Sequence, residues 1–152
     1  MFNVWWFMKK RKVSYVGTAA QPLSVARNQL AAASAGNYAL FGGGYDRSYK
    51  NTVDAYDDTL TKQTVTNMLS VARDHLAAAS AGNYALFGGG YGDGGPKNTV
   101  DAYDDTLTKQ TVTNMLSVAR NQLAAASVGN YALFGGGYDN SPRNTVDAYI
   151  FT

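Results

Sequence analysis

Few residues in this chain could carry catalysis: there is one histidine, there are eleven acidic residues, and there is no cysteine. His75 stands where two otherwise matching segments carry Gln29 and Gln122. A position that accepts a neutral amide equally well reads as a solvated or hydrogen-bonded imidazole, not a proton-transfer group. The carboxylates include two adjacent pairs, Asp57-Asp58 and Asp104-Asp105. Acid–base hydrolysis needs two carboxyls converging across a cleft. Neighbouring aspartates are better read as turn formers that accept local backbone hydrogen bonds, and no calcium-loop spacing accompanies them. Gly90-Tyr-Gly92-Asp-Gly-Gly95 fits G-x-G-x-x-G. A dinucleotide site needs a helix after that motif, and the strand-like Thr99-Val-Asp-Ala-Tyr103 follows instead. The Gly-Gly-Gly runs lack the Lys-Ser/Thr of a phosphate loop. These residues predict a non-enzymatic chain with no metal and no cofactor.

Two other sets have types suited to binding. Arg27, Arg73 and Arg120 recur at intervals of 46 and 47 residues. They would form either a ring of guanidinium groups facing an anionic ligand or structural pairs with Asp54, Asp101, Asp147 or loop carbonyls. Recurrence in every unit favours the structural role. The second set lies where the units differ most: Asp46-Arg-Ser-Tyr-Lys50, Gly92-Asp-Gly-Gly-Pro-Lys97 and Asp139-Asn-Ser-Pro-Arg143. Variable loops on an unvarying scaffold are where recognition is expected. The candidate ligand contacts are Arg47, Tyr49, Lys50, Asp93, Lys97, Asn140 and Arg143; the competing reading is relaxed constraint on exposed turns.

The elements that position these residues are set by internal repetition. Leu23-Ser-Val-Ala-Arg27 returns at Leu69–Arg73 and Leu116–Arg120. Each unit then runs Leu-Ala-Ala-Ala-Ser, Gly-Asn-Tyr-Ala-Leu-Phe-Gly-Gly-Gly-Tyr and Asn-Thr-Val-Asp-Ala-Tyr, and the first two close with Asp-Asp-Thr-Leu-Thr-Lys-Gln-Thr-Val-Thr-Asn-Met. Leu-Ala-Ala-Ala alone would favour a helix. The segments are too short for that, and Gly-Asn and Gly-Gly-Gly interrupt them, so they predict strands joined by hairpins. We label them A to D from the alanine-rich strand onward. Strand B (Tyr38–Phe41) is apolar on both faces, as a sheet sandwiched between neighbours requires.

The order of Arg, small apolar strand, aromatic-aliphatic-Gly-Gly, loop, Val-x-x-Tyr and final strand resembles the kelch repeat. Arg27, Arg73 and Arg120 match the family's arginine. Gly42-Gly43, Gly88-Gly89 and Gly135-Gly136 match its glycine pair, and Tyr56, Tyr103 and Tyr149 its strand-C tyrosine. The family's strand-D tryptophan is missing, with Gln63-Thr64 and Gln110-Thr111 in that region, which implies lighter outer packing. The resemblance implies an all-β chain of three four-stranded antiparallel blades of a β-propeller. It also implies a binding role, with a protein or glycan as ligand. Galactose oxidase, a copper enzyme with such repeats, needs a Tyr–Cys crosslink and histidine ligands that this sequence cannot supply. A hydrolase or epimerase, as in a minority of propellers, lacks converging acid, base or metal residues here.

The expected organisation is an apolar and basic segment over 1–12 and a repeat domain over 13–152. Within that domain, 13–22 is a candidate closing strand D, followed by repeats at 23–68, 69–115 and 116–152, the last without strand D. Propellers hold four to eight blades, so three blades are a partial propeller or half of a six-bladed ring made by two chains exchanging strands. The second case makes the chain a structural self-assembly unit. The formal charge of +2 argues against a nucleic-acid partner. Trp5, Trp6 and Phe7 beside Lys9–Lys12 have the composition of an interfacial patch, but one such signal falls short of stable anchoring. An edge strand or an upstream remnant is the expected role. No signal peptide or spanning segment is recognisable, which leaves the cytoplasm as the default compartment.

Overall fold

A computed structural model describes residues 12–19 and 21–152, so Trp5, Trp6, Phe7 and residues 9–11 of the basic run lie outside the described residues. Among the described residues the chain is all-β, with antiparallel sheets of two to four strands. Among those residues no helix is long and apolar enough to cross a membrane. The first sheet places β1 (Ala31–Ala35), β2 (Tyr38–Gly42), β3 (Val53–Tyr56) and β4 (Lys62–Gln63) side by side in chain order. The second repeat runs β5 (Ala77–Ala81), β6 (Tyr84–Gly88), a small hairpin of β7 (Tyr91–Gly92) and β8 (Gly95–Pro96), then β9 (Val100–Tyr103) and β10 (Lys109–Gln110). Its main sheet is β5-β6-β9-β10. The third sheet holds β11 (Ala124–Val128), β12 (Tyr131–Gly135) and β13 (Val146–Ile150).

Each A–B pair closes over two residues, with Ala35 opposite Tyr38 and Gly36 at φ +55°. That is the positive first position which a type II′ hairpin asks of glycine. Hairpin closure and packing thus override the helix preference of the alanines. β1 packs on β5, and β5 on β11. Ala77, Ala79 and Ala81 are 3–7 % exposed toward the third sheet, where larger side chains would hold the strands apart.

Alternate residues of the middle sheet bury against opposite neighbours. Ala85, Phe87 and Tyr103 join the core shared with the first sheet, while Leu86, Val100 and Ala102 join the core shared with the third. Phe87 and Phe134 are fully buried, each contributing about 1.5–3 kcal/mol relative to exposure. Both lie against a glycine. A Cβ added at Gly42 would sit 2.8 Å from the Phe87 ring, and one at Gly88 would sit 2.8 Å from Phe134. Gly42 and Gly88, the first glycines of the first two recurring pairs, are therefore the slots for the next sheet's phenylalanine.

The described residues do not close a ring, since Val128, Tyr131, Val146 and Ile150 on the outer face of the third sheet are 46–62 % exposed. Residues 12–19 carry no strand pairing in the single chain; the expectation for 13–22 concerned pairing with another copy. Gln21 and Pro22 lie on the first sheet: Tyr56 Oη donates to Gln21 O (3.0 Å) and Lys62 Nζ to Pro22 O (3.2 Å). Asn67 and Met68 serve the second sheet in the same way, through Tyr103 and Lys109.

Candidate ligand loops and the arginine–aspartate frame

The arginine of each unit lies just ahead of strand A, and its side chain reaches across the sheet end to strand C. Arg73 donates from Nη1 to Asp101 Oδ2 (2.9 Å) and Val71 O (3.0 Å), from Nε to Gly89 O (2.8 Å), and from Nη2 to Phe87 O (3.1 Å). Arg27 makes the same set with Asp54, Val25, Gly43 and Phe41. Arg120 makes it with Asp147, Val118, Gly136 and Phe134. All three side chains are 0 % exposed. A guanidinium has five N–H donors in a fixed fork, and here that fork is turned into the chain. The expected alternative of an anion-facing ring at Arg27, Arg73 and Arg120 is therefore corrected: these groups tie strands A, B and C together.

The aspartates receive more than the arginine. Lys62 Nζ lies 2.8 Å from Asp54 Oδ1, and Lys109 Nζ 2.8 Å from Asp101 Oδ1. Backbone amides of Ser24, Ser70 and Ser117 complete the three sites. Burial by itself raises a carboxyl pKa; the surrounding donors outweigh it and hold Asp54, Asp101 and Asp147 below the usual carboxylate range. Asp57 and Asp104 shape the C–D turns, each Oδ1 accepting two backbone amides and a threonine hydroxyl. His75 is held by Asp74, Nδ1 to Oδ1 at 3.0 Å. Its φ of +47°, like those of Gln29 and Gln122, accompanies a backbone chain in which His75 N donates to Gln29 O and Gln122 N to His75 O.

The B–C loops share one frame. Lys50 N, Lys97 N and Arg143 N donate to Gly44 O, Gly90 O and Gly137 O, closing each loop at 2.8–2.9 Å. The cationic side chains turn back on their own loops: Lys50 Nζ to Ser48 Oγ, Lys97 Nζ to Asp93 O, and Arg143 to Asp139. Lys50, Lys97 and Arg143 are thus loop clamps. Arg47 and Asn140 occupy exposed tips with φ of +56° and +65°. The bridges Tyr45↔Tyr49 and Tyr138↔Pro142 and the pair Tyr91↔Pro96 are equivalent, so Tyr49 fills a position that is proline in the other two loops.

That exchange builds an aromatic row. Tyr49 lies edge-on to Tyr45 with centroids 5.6 Å apart, and 6.1 Å from Tyr91 of the next loop. Tyr45, Arg47, Ser48, Tyr49, Ala72 and Asp93 line a cavity of about 280 Å³ between the first and second loops. Burial, and after it the Asp74 carboxylate, raises the Tyr49 phenol above its usual pKa. Of the candidate contacts, the structure brings together Arg47, Tyr49 and Asp93; Asn140 and Arg143 belong to the separate third loop. Tyr45 and Tyr91 were missing from the candidates. The available signal is the tyrosine that follows every Gly-Gly-Gly run, at Tyr45, Tyr91 and Tyr138. Among the described residues no cluster of metal-ligating side chains occurs. No protein-family model matches the chain, and no curated protein matches it in sequence.

Proposed function

We propose that the chain is a non-enzymatic binding module made of kelch-type β-propeller blades, recognising a glycan or protein ligand through its B–C loops. The blade reading is supported by a single role for each recurring motif residue. The arginine ties strands A to C, the first glycine admits the neighbouring phenylalanine, and the strand-C tyrosine anchors the incoming chain. A propeller places its B–C loops on one face, where recognition surfaces form.

The observation that carries the binding role is the cavity between the first two loops. Tyr45 and Tyr49 offer apolar ring faces with polar tips, Arg47 a planar donor fork, and Asp93 an acceptor. Flat apolar faces beside paired donors and acceptors suit the ring faces and hydroxyls of a saccharide, so a glycan is the favoured ligand class. The test is a glycan array followed by titration calorimetry on the best binder. Arg47→Ala with Tyr49→Ala should weaken binding at least about tenfold, roughly 1.4 kcal/mol, with an unchanged melting temperature. Lys50 is retained because it clamps the loop. Undiminished affinity in the double variant, or an array without a binder, would remove the glycan reading.

A further inference from the structure

The two contacts between sheets inside the chain are copies of each other, and among the described residues each end of the stack presents one half of that contact uncovered. The outer face of the third sheet shows Ala126, Val128, Tyr131, Gly135, Val146 and Ile150 to solvent or leaves them partly covered. The matching face of the first sheet includes Leu40, Val53 and Ala55, buried at 0–4 % exposure. At the other end Phe41 is only partly buried, whereas its counterparts Phe87 and Phe134 are fully buried in a neighbour's glycine slot. The third slot, at Gly135, has only Val146 near it, at 3.5 Å from an added Cβ.

The backbone repeats this complementarity. Across the first contact Gly44 N donates to Arg73 O, Arg73 N to Lys50 O, Leu69 N to Asn51 O, and His75 N to Gln29 O. Across the second, Gly90 N, Arg120 N, Leu116 N and Gln122 N do the same with Arg120 O, Lys97 O, Asn98 O and His75 O. The corresponding end groups have no backbone partner among the described residues: Gly137 N, Arg143 O, Asn144 O and Gln122 O at one end, Arg27 O, Arg27 N, Leu23 N and Gln29 N at the other. Every donor at one end has its acceptor at the other.

We propose that the third sheet docks on the first sheet of a second copy of this chain, reproducing the contact that already joins its own sheets. Phe41 of the second copy fills the Gly135 slot, and the four backbone pairs close as they do internally. The segment 12–19, in which Val13, Tyr15 and Val16 are 83–105 % exposed, then runs beside β13. Gln21 holds the place of Asn67, so counting back puts Val16 and Gly17 where Lys62 and Gln63 pair with Tyr56 and Ala55. In the second copy they would lie opposite Tyr149 and Ala148. This covers the β13 edge, which otherwise presents unpaired backbone groups. The contact is heterologous, and two copies are the fewest that could satisfy both ends.

Light scattering coupled to size exclusion at micromolar concentration tests this. The wild-type chain should show twice its 16.3 kDa, or a higher multiple if the contact propagates. Gly135→Val should return the mass to one chain with an unchanged circular-dichroism spectrum, because in the single chain an added Cβ meets only Val146, at an ordinary contact distance of 3.5 Å, and in the pair it meets the Phe41 ring. Should the valine disturb the fold, Phe41→Ala tests the same contact from the other end. Mixing the two variants should restore a two-chain species, since together they retain one intact contact. A wild-type mass of one chain would overturn the proposal, as would an assembly that survives both substitutions.

Discussion

The second and third repeats carry nearly the same strands, yet the same letters sit in different surroundings. Leu86 is 5 % exposed between two sheets, while its counterpart Leu133 is only partly covered. Ala77 and Ala79 are buried; Ala124 and Ala126 face solvent. Asp101 is 2 % exposed and held by both Arg73 and Lys109, whereas Asp147 is 17 % exposed and has Arg120 alone among cations of the described residues. Phe87 and Phe134 are equally buried, because both point back toward the preceding sheet. The rims differ as well. Leu107 packs against the core between the first two sheets, while a cavity of about 360 Å³ lined by Tyr84, Val112, Tyr149 and Phe151 opens between the second and third. Burial here belongs to the contact between sheets and not to the repeat, which is the energetics of a one-dimensional stack.

The sharpest way to break that comparison is to remove the arginine from each frame. Arg73→Met leaves Asp101 buried with one cation and frees three carbonyls, and should cost about 3–5 kcal/mol. Arg120→Met leaves Asp147 closer to water and should cost about half as much. Urea unfolding of the two variants reads the difference directly; equal losses would mean that exposure of the aspartate does not govern the frame. A smaller contrast separates the leucines. Measured in the Gly135→Val background, which keeps the chain single, Leu86→Ala should cost about 2–5 kcal/mol, the range for a closed core, and Leu133→Ala about 1 kcal/mol or less. Matching midpoints for these two would show the outer face of the third sheet to be as well covered as the middle one.

Much of this contrast was hidden in the sequence for a physical reason: a strand's letters fix which residues alternate, not whether a neighbour covers them. The strands, the Gly-Asn hairpins and the glycine pairs were legible because each follows from local geometry. Pairing of Arg27, Arg73 and Arg120 with Asp54, Asp101 and Asp147 was legible as one of two roles, since repetition alone does not say which way a guanidinium turns. Lys62 and Lys109 follow Asp54 and Asp101 by eight residues. That recurrence points to them, because the C–D turn is short enough to bring the lysine back over the aspartate. In the loops, Lys50, Lys97 and Arg143 are candidate ligand contacts because the loops vary and each ends in a cation; folding the loop back on itself gives them nearer partners. Tyr49 stood out as an extra aromatic, but only the register reveals that it replaces proline and completes a row with Tyr45 and Tyr91.

The smallest expected contrast lies in the strand-C tyrosines and appears at high pH. Burial first, then the nearby aspartate, raises the Tyr149 phenol to about 12 and the Tyr103 phenol further. An unfolded tyrosine titrates near pH 10. A raised folded pKa means the native state holds its proton more tightly, so this stabilisation is complete below about pH 10 and is lost as pH climbs toward the folded value. The third sheet should therefore loosen at a lower pH than the second. Phenolate absorbance followed in Tyr149→Phe and Tyr103→Phe assigns the two steps. At neutral pH each substitution should cost only about 1 kcal/mol, since each hydroxyl donates one bond, to Asn114 O at 3.0 Å or Asn67 O at 2.8 Å. Docking of a second copy would lay Val16 and Gly17 opposite Tyr149 and Ala148 as Lys109 and Gln110 lie opposite Tyr103 and Ala102, so the gap between the two steps should narrow as the chains associate. If Tyr149 titrates near pH 10, as an unfolded tyrosine does, its inward face is not packed as described and the two repeats differ on both sides instead of one.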